Sequence, residues 1–360
     1  MPSHWHCRFL TCACLALALC SWPAKAAVVL LYHHVSDTTP KSTSISPQAF
    51  EAQMDYLEQQ GFKVVPLTTL VDKLRDGDAL PDKTLAITFD DSYASVYESA
   101  YPRLKKRGWP FTFFVNTDVV GSSKVFVSWD QLREMSSNGV IIANHSSTHA
   151  HLPRKKPQET ARQYRQRIRA DIEKAQQKII AEIGSAPKIL AYPYGEYDVE
   201  LQEIVKGMGY IAFGQQSGAL YERGNLQAIP RFPFGGSFTE LDDFALKVNT
   251  RPMPLSRVRF FKSKREQAEN LIARAGEKPW LVMDLPKLEL LKKINCFATG
   301  QGAMHLEIIN GQLWAQPREA LKPGRMRYNC TAPTEEKGRF FWYTQQWLVT
   351  DSNGQWVHRD

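Results

Sequence analysis

The sequence predicts an α/β protein: an irregular (β/α) barrel of seven or eight units, followed by a smaller β-rich C-terminal domain. Three observations carry that expectation. Over about 220 residues, short runs of β-branched and aromatic side chains alternate with helical segments. These runs are nearly continuous in apolar character, as parallel strands covered on both faces must be. Past residue 251 the helical spacing gives way to alternating strands with Gly-containing turns. So many strand and helix units in succession suit a barrel rather than a sandwich. With 360 residues, 43% hydrophobic and 23% charged, the chain can bury a core and fits two domains, which excludes disordered, collagen-like and coiled-coil classes.

Residues 1–26 come first. They hold His4, His6 and Arg8, no acidic residue, an apolar run over 9–20, and then Ala24, Lys25 and Ala26. This is the layout of a secretory signal peptide cleaved before Ala27, so the mature protein is expected to be periplasmic or secreted. The apolar run, about 12 residues, is shorter than the roughly 20 that span a bilayer, so stable membrane insertion is not expected. Four of the six cysteines (Cys7, Cys12, Cys14 and Cys20) leave with it. Cys296 and Cys330 remain, and in an oxidising compartment they are expected to form one disulfide. Closing a loop of that length stabilises a fold by roughly 4 kcal/mol in the chain-entropy model. The leader carries two basic and no acidic residues, which takes the net charge from +8 to +6. No basic and aromatic nucleic-acid motif accompanies that charge, so no nucleic-acid partner is expected; most of it reads as a solvated face over residues 154–178.

The strand candidates of the barrel domain, residues 27–252, are 28–32, 63–67, 84–89, 110–115, 140–143, 188–191 and 210–213. Between them lie helical segments at 47–60, 93–107, 129–136, 158–183 and 199–208. Ser46 and Pro47 open the first as N-cap and first helical residue. In the β-rich domain, residues 255–360, one more helical stretch is expected at 264–275. Strand candidates follow at 304–309, 312–315 and 339–343, with Asn310 and Gly311 signalling a hairpin.

In parallel α/β folds, catalytic groups gather where strands end, and three polar clusters sit there. Thr88, Phe89, Asp90, Asp91 and Ser92 follow an apolar strand; adjacent carboxylates repel unless a cation or a proton role uses them. A helix N-cap at Asp91 or Ser92 is the bland alternative and leaves one of the two carboxylates idle. Asn144, His145, Ser146, Ser147, Thr148, His149 and His151 follow the next such strand but one. His145 and His149 are four apart, so on a helical turn both rings face one side, as two-histidine metal ligation requires. Tyr192, Pro193, Tyr194 and Gly195 read, alone, as an ordinary turn. One Asp and two His leave coordination positions open, which marks a catalytic rather than a structural metal site.

In this order, each at a strand end, the three clusters resemble the first three motifs of the polysaccharide deacetylase family, also called carbohydrate esterase family 4 or the NodB-homology domain. Tyr32, His33, His34 and Val35, with Ile229, Pro230 and Arg231, resemble the branch containing periplasmic poly-β-1,6-N-acetylglucosamine deacetylases. The resemblance spans residues 27–250 and implies a metal-dependent hydrolase that removes N-acetyl groups from an amino-sugar polysaccharide, releasing acetate. It implies Asp91, His145 and His149 as ligands of a divalent metal, commonly Zn2+, with Co2+, Ni2+ or Fe2+ as alternatives. Asp90 would then be the general base, and the backbone N–H of Tyr194 the oxyanion donor. Two departures stand out. Ala191 occupies the place where the family carries an Arg that steadies the base, and Arg231 is the candidate replacement. The late Leu-x-His motif that supplies the general acid is not recognisable, and His33 is the candidate stand-in. Tyr93, Tyr97, Trp129, Tyr192 and Tyr194 could stack on sugar rings or simply belong to the core. Trp314, Trp342, Tyr343, Trp347 and Trp356 could bind glycan or pack the second domain. The alternatives are a non-catalytic glycan-binding protein on the same fold and a metal-dependent hydrolase of another amide or ester.

Overall fold

The computed structural model describes residues 26–222 and 224–357; apart from Ala26, the expected leader and its four cysteines lie outside the described residues. The first region is built on an eight-stranded, all-parallel sheet: β1 Ala27–Tyr32, β2 Lys63–Val64, β3 Thr84–Phe89, β4 Phe111–Val115, β5 Ile141–Asn144, β6 Ile189–Ala191, β7 Ile211–Phe213 and β8 Phe232–Pro233. In space the order is β8, β1, β3, β4, β5, β6, β7, with β2 beside the start of β3. Both faces are buried, which is why the strands read as unbroken apolar runs.

One segment joins the two edges. Ile229 bridges Phe213 of β7, and three residues later Phe232 pairs with Leu30 of β1. Phe234 N–H donates to Leu31 C=O at 2.8 Å and Gly214 N–H to Ile229 C=O at 3.0 Å. The sheet thus closes through a stretch too short and too rich in Pro to read as a strand.

The inward side chains include Ala27, Ala86, Ala143 and Ala191, small enough for the narrow interior, together with Val29, Phe114 and Phe213. The same cluster contains Leu67, Leu70, Val71 and Leu74 of the helix Leu67–Asp76. That helix plugs the barrel and begins where the sequence suggested the last residues of a strand, 63–67. Pro66 explains the difference, because it has no N–H for a sheet ladder and sits comfortably just ahead of a helix. The other helices stand close to expectation: Pro47–Gln59 behind Ser46, Trp129–Ser137 and Ala161–Ile183 behind capping boxes at Ser128 and Thr160, and Val199–Gly207 behind Asp198. The helix expected at 93–107 starts later, as one π turn, Val96–Ala100, leading into Tyr101–Lys106. Pro102 cannot donate back to Glu98, so regular α-helical bonding fails across this step.

Beyond Val248 the chain forms two sheets. Arg251–Pro252 pairs with Phe340–Thr350, which continues through Gly324–Pro333 and Asn295–Ala298 to Gly302–Ala303, with Ile272–Arg274 on the other part of Phe340–Thr350. The second sheet runs Glu266–Gln267, Arg257–Ser263, Trp280–Asp284, Gln312–Gln316, His305–Ile309. Leu281, Met283 and Leu313 of one face Cys296, Tyr328, Cys330 and Trp347 of the other in a single core. Cys296 and Cys330 oppose each other across an antiparallel pair and are joined in a disulfide. Asn310 and Gly311 both have positive φ, 51° and 76°, as a two-residue hairpin loop requires.

The helix expected at 264–275 is absent. Lys, Arg, Glu and Gln favour helix there, but pairing of Phe261 with Gln267 and of Ile272 with Leu348 recruits both flanks into sheets. Trp314 and Trp347 are buried, and Trp342 packs edge-on against Phe232 of the barrel, so these aromatics serve packing.

The two regions are tied by Arg339, whose Nη1 and Nη2 donate to Asp82 at 2.8 and 2.7 Å and whose Nε donates to Asn249 C=O at 2.8 Å. Partial burial pushes the Asp82 carboxyl up, but Arg339 outweighs this and leaves it below its ordinary value. A depressed carboxylate stabilises the fold above its unfolded-state value of about 4 and loses that contribution as pH falls through the folded value. Arg339→Ala is therefore expected to lower the Tm by a few degrees at pH 7, with the gap from wild type closing below about pH 4. Thermal scans at pH 7 and pH 3.5 check this; a gap of equal size at both would assign the loss to packing instead.

Candidate active site

The sequence clusters converge at the C-terminal ends of β1, β3, β5 and β6. Asp91 follows β3 in a left-handed conformation, φ 76°, and Ser92 repeats it at 61°. Neither residue caps a helix. Ser92 Oγ donates to Asn116 Oδ1 at 2.7 Å and accepts from Asn116 N–H at 3.0 Å, locking the turn to the end of β4.

After β5 the chain does not form the helical turn expected for His145 and His149. Ser146 and His149 have φ of 64° and 56°, and the turn is held by side chains. Asn144 Oδ1 accepts from Ser146 N–H at 2.8 Å, and Ser146 Oγ accepts from His149 N–H at 3.0 Å. The rings still meet, 4.9 Å apart. Among the described non-glycine residues with positive φ, Asp91, Ser92, Ser146, His149 and Tyr194 all belong to this site. Such conformations cost of order 1 kcal/mol or more each and persist where the surroundings over-determine them.

Asp91, His145 and His149 each offer a ligand atom, all within 4.8 Å of one another. Asp91 Oδ1 is 3.0 Å from Nε2 of both histidines. His145 Nδ1 is fixed at 2.8 Å by Ala191 C=O, which requires a proton on Nδ1 and turns the Nε2 lone pair into the site. His149 Nε2 is buried and, despite its distance from Asp91, lies outside hydrogen-bond geometry. Three atoms aimed at one point, one of them unsatisfied by hydrogen bonding, suit a shared cation.

Burial pushes the Asp91 carboxyl up, but its contacts with His145 and His149 and the nearby His33 outweigh this and hold it well below the carboxylate range. For His145 burial acts downward, yet the charge of Asp90 and the bond to Asp91 leave the ring above its ordinary value. His33 Nε2 is 3.9 Å from Asp91 Oδ2. His34, beside it, turns away to stack on Tyr93 at 3.6 Å, and burial lowers it to about 4.

Asp90 is fully buried and faces Arg231 as a fork: Nη1 donates to Oδ1 at 2.8 Å and Nη2 to Oδ2 at 2.7 Å. Arg231 is itself buried, donates from Nε to Gly214 C=O at 2.9 Å and from Nη1 to Thr88 Oγ1 at 3.1 Å, and lies over the Phe114 ring. Asp90 Oδ2 is 4.0 Å from His145 Nε2. Arg231 is carried by the barrel-closing segment, so closure of the sheet delivers it to Asp90.

Tyr194, φ 58° and ψ 3°, occupies the short turn Pro193–Gly195. Its ring lies 4.6 Å from His149 and stacks on His151 at 3.9 Å and 12°. Of the other aromatics, Tyr93 reaches the site and stacks on Phe126, and burial pushes its hydroxyl up to about 12. Tyr192 is buried with its hydroxyl on Gln227 C=O, Tyr97 bonds Glu134, and Trp129 lies under Lys178. The sequence reading missed Glu196, a buried carboxylate bonded by His151 Nδ1 at 2.8 Å and by Arg154 Nη2 at 2.8 Å. Burial raises Glu196, but these two partners more than reverse that. An acid directly after Tyr194 and Gly195 is the signal that could have found it.

Residues 77–213 match a family model described as polysaccharide deacetylase. Over these residues the barrel is similar to a polysaccharide deacetylase domain. Also similar to this chain is the poly-beta-1,6-N-acetyl-D-glucosamine N-deacetylase of Escherichia coli K12, 26% identical over 265 residues, 64% of this chain and 39% of that protein. This chain therefore spans well under half the length of that curated relative. Among solved structures, IcaB from Ammonifex degensii is 29% identical, with TM-score 0.53 over 61% of this chain and 97% of that one. The Streptococcus pyogenes deacetylase PplD shares the fold, TM-score 0.56 at 19% identity over 62% of this chain and 99% of that one.

Proposed function

We propose that the protein is an exported, metal-dependent N-deacetylase of an N-acetylglucosamine polymer, poly-β-1,6-N-acetylglucosamine being the substrate its relatives favour. The observation that carries this is the pair of neighbouring carboxylates with separate partners. Asp91 faces two histidines, whereas Asp90 faces a buried arginine. A binding module has no use for that division of labour, and the non-catalytic reading is the weaker for it. Export is supported by the character of residues 1–26 and by a disulfide of the sort an oxidising compartment sustains. No helix among the described residues is long and apolar enough to cross a membrane.

Asp91, His145 and His149 would hold the ion, Zn2+ fitting the mixed oxygen and nitrogen donors. A bound divalent ion supplies Lewis-acid chemistry, polarising a carbonyl and making water more acidic. The chain does the rest. Asp90 takes the proton of the attacking water, and Arg231 fixes both carboxylate oxygens so that the lone pair for that proton is already aimed. The Tyr194 backbone N–H steadies the oxyanion that forms on the acetamide. His33, whose Nε2 is 3.9 Å from Asp91 Oδ2, returns a proton to the leaving amine. The C–N bond breaks to give acetate and a free amino sugar.

Acetate release from β-1,6-linked N-acetylglucosamine oligomers, compared with β-1,4-linked oligomers and small acetamides, tests the reading. Chelation is expected to cut the rate at least a hundredfold, and added Zn2+ or Co2+ to restore it. Equal turnover of simple acetamides would favour the general amide hydrolase, and turnover unaffected by chelation would overturn the metal.

A further inference from the structure

The loop after β6 that carries Tyr194 is gripped by the C-terminal sheets. Arg325, on the strand Gly324–Pro333, donates from Nη1 to the Tyr194 carbonyl. Its Nε lies 3.9 Å from Glu196 Oε1, and its guanidinium sits 5.9 Å from the centre of the Tyr194 ring. On the adjacent strand, Phe340–Thr350, Gln346 Nε2 donates to Tyr197 C=O at 3.2 Å. Asn270 bonds Asp198 Oδ2 through Nδ2 at 3.3 Å and accepts from Val199 N–H at 3.2 Å. Trp356 lies against Arg154, which itself holds Glu196.

Tyr194 needs such restraint. A non-glycine residue at φ 58° is held against its own preference, and tyrosine has no local hydrogen bond to offer in compensation, unlike Asn or Asp. Within the barrel the ring is flanked by His149 and His151, but its carbonyl is taken by a residue from outside the barrel.

We propose that the β-rich domain is part of the catalytic apparatus, with Arg325 as a positioning residue that fixes the peptide at Tyr194 from across the domain interface. This rests on the deacetylase reading in taking the Tyr194 N–H as the oxyanion donor. Arg325 spans the Tyr194 carbonyl and the Glu196 carboxylate together, so ψ of Tyr194 cannot relax without breaking a charge-assisted bond. Its guanidinium is partly exposed, 41% for the side chain, so its removal leaves no cavity and the effect belongs to the loop rather than to the core.

The test compares wild type, Arg325→Ala and Arg325→Lys in the full metal-loaded protein. Arg325→Ala is expected to lower kcat for acetate release about tenfold, part of the 10²–10³ that loss of a whole oxyanion donor costs, with KM changed less than twofold. Arg325→Lys, which can reach one acceptor at a time, is expected to fall between. Hydrogen exchange supplies the independent readout: amides in 192–199 are expected to exchange at least fivefold faster in Arg325→Ala, while 141–149 stay unchanged. Unaltered exchange in 192–199 overturns the proposal, as does acceleration throughout the barrel, which would mark a merely structural contact. A wild type that releases no acetate from any oligomer overturns the deacetylase reading alone, and the exchange data still decide what Arg325 does.

Discussion

Asp90→Asn is expected to reduce acetate release by 10²–10⁴-fold, the range over which a positioned general base contributes, while the variant still binds one divalent ion. The separation follows from geometry. Asp90 directs both oxygens to Arg231, whereas Asp91 meets the two histidines. An amide has nearly the shape of a carboxylate but cannot take a proton at neutral pH, and one of its ends would present N–H to a guanidinium that also donates. Two measurements are needed: acetate release, and Zn2+ or Co2+ titration by calorimetry. Retained turnover would remove Asp90 from the mechanism, and lost metal binding would place it among the ligands instead of Asp91.

Arg231→Met is expected to destabilise the protein by about 3–5 kcal/mol, the cost of leaving one member of a buried ion pair uncompensated. Both partners are fully buried, and each Asp90 oxygen accepts from Arg231. Asp90 stripped of its guanidinium loses the fork that aims both its oxygens, so the variant is also expected to lose acetate release. The double variant Asp90→Leu with Arg231→Met should be more stable than Arg231→Met alone, because it buries no unpaired charge. Urea unfolding of the single and double variants gives the comparison. Equal losses would mean that Thr88 and Gly214, the other Arg231 acceptors, and not the ion pair, account for the cost.

The convergence of Asp91, His145 and His149 was legible because these residues are carried on short turns directly after apolar strands. Strand ends are set by local pattern, and a parallel barrel gathers them at one face whatever lies between. Other parts of the site were legible only as types of residue. Asp90 and Arg231 are 141 residues apart, and the only hint linking them was the missing arginine ahead of Pro193, where Ala191 stands. The angle at which His145 and His149 meet was misread as helical because spacing by four says nothing of φ; Asn144 and Ser146 impose the left-handed turns that bring the rings together.

The sequence by itself determined the alternation of strands and helices, the cap at Ser46, the hairpin at Asn310 and Gly311, and the grouping of two aspartates and two histidines at strand ends. Each of these depends on side chains a few residues apart, where propensity and hydrogen bonding act locally. Tertiary structure alone decided the rest. It closed the barrel with 229–233, drew 264–275 into sheets against its helical propensity, buried Arg231 on Asp90, and set Arg325 of the second domain on the Tyr194 carbonyl. These are pairings across tens to hundreds of residues, whose energy comes from burial and charge compensation once the chain has folded, and no local pattern encodes which distant partner will arrive.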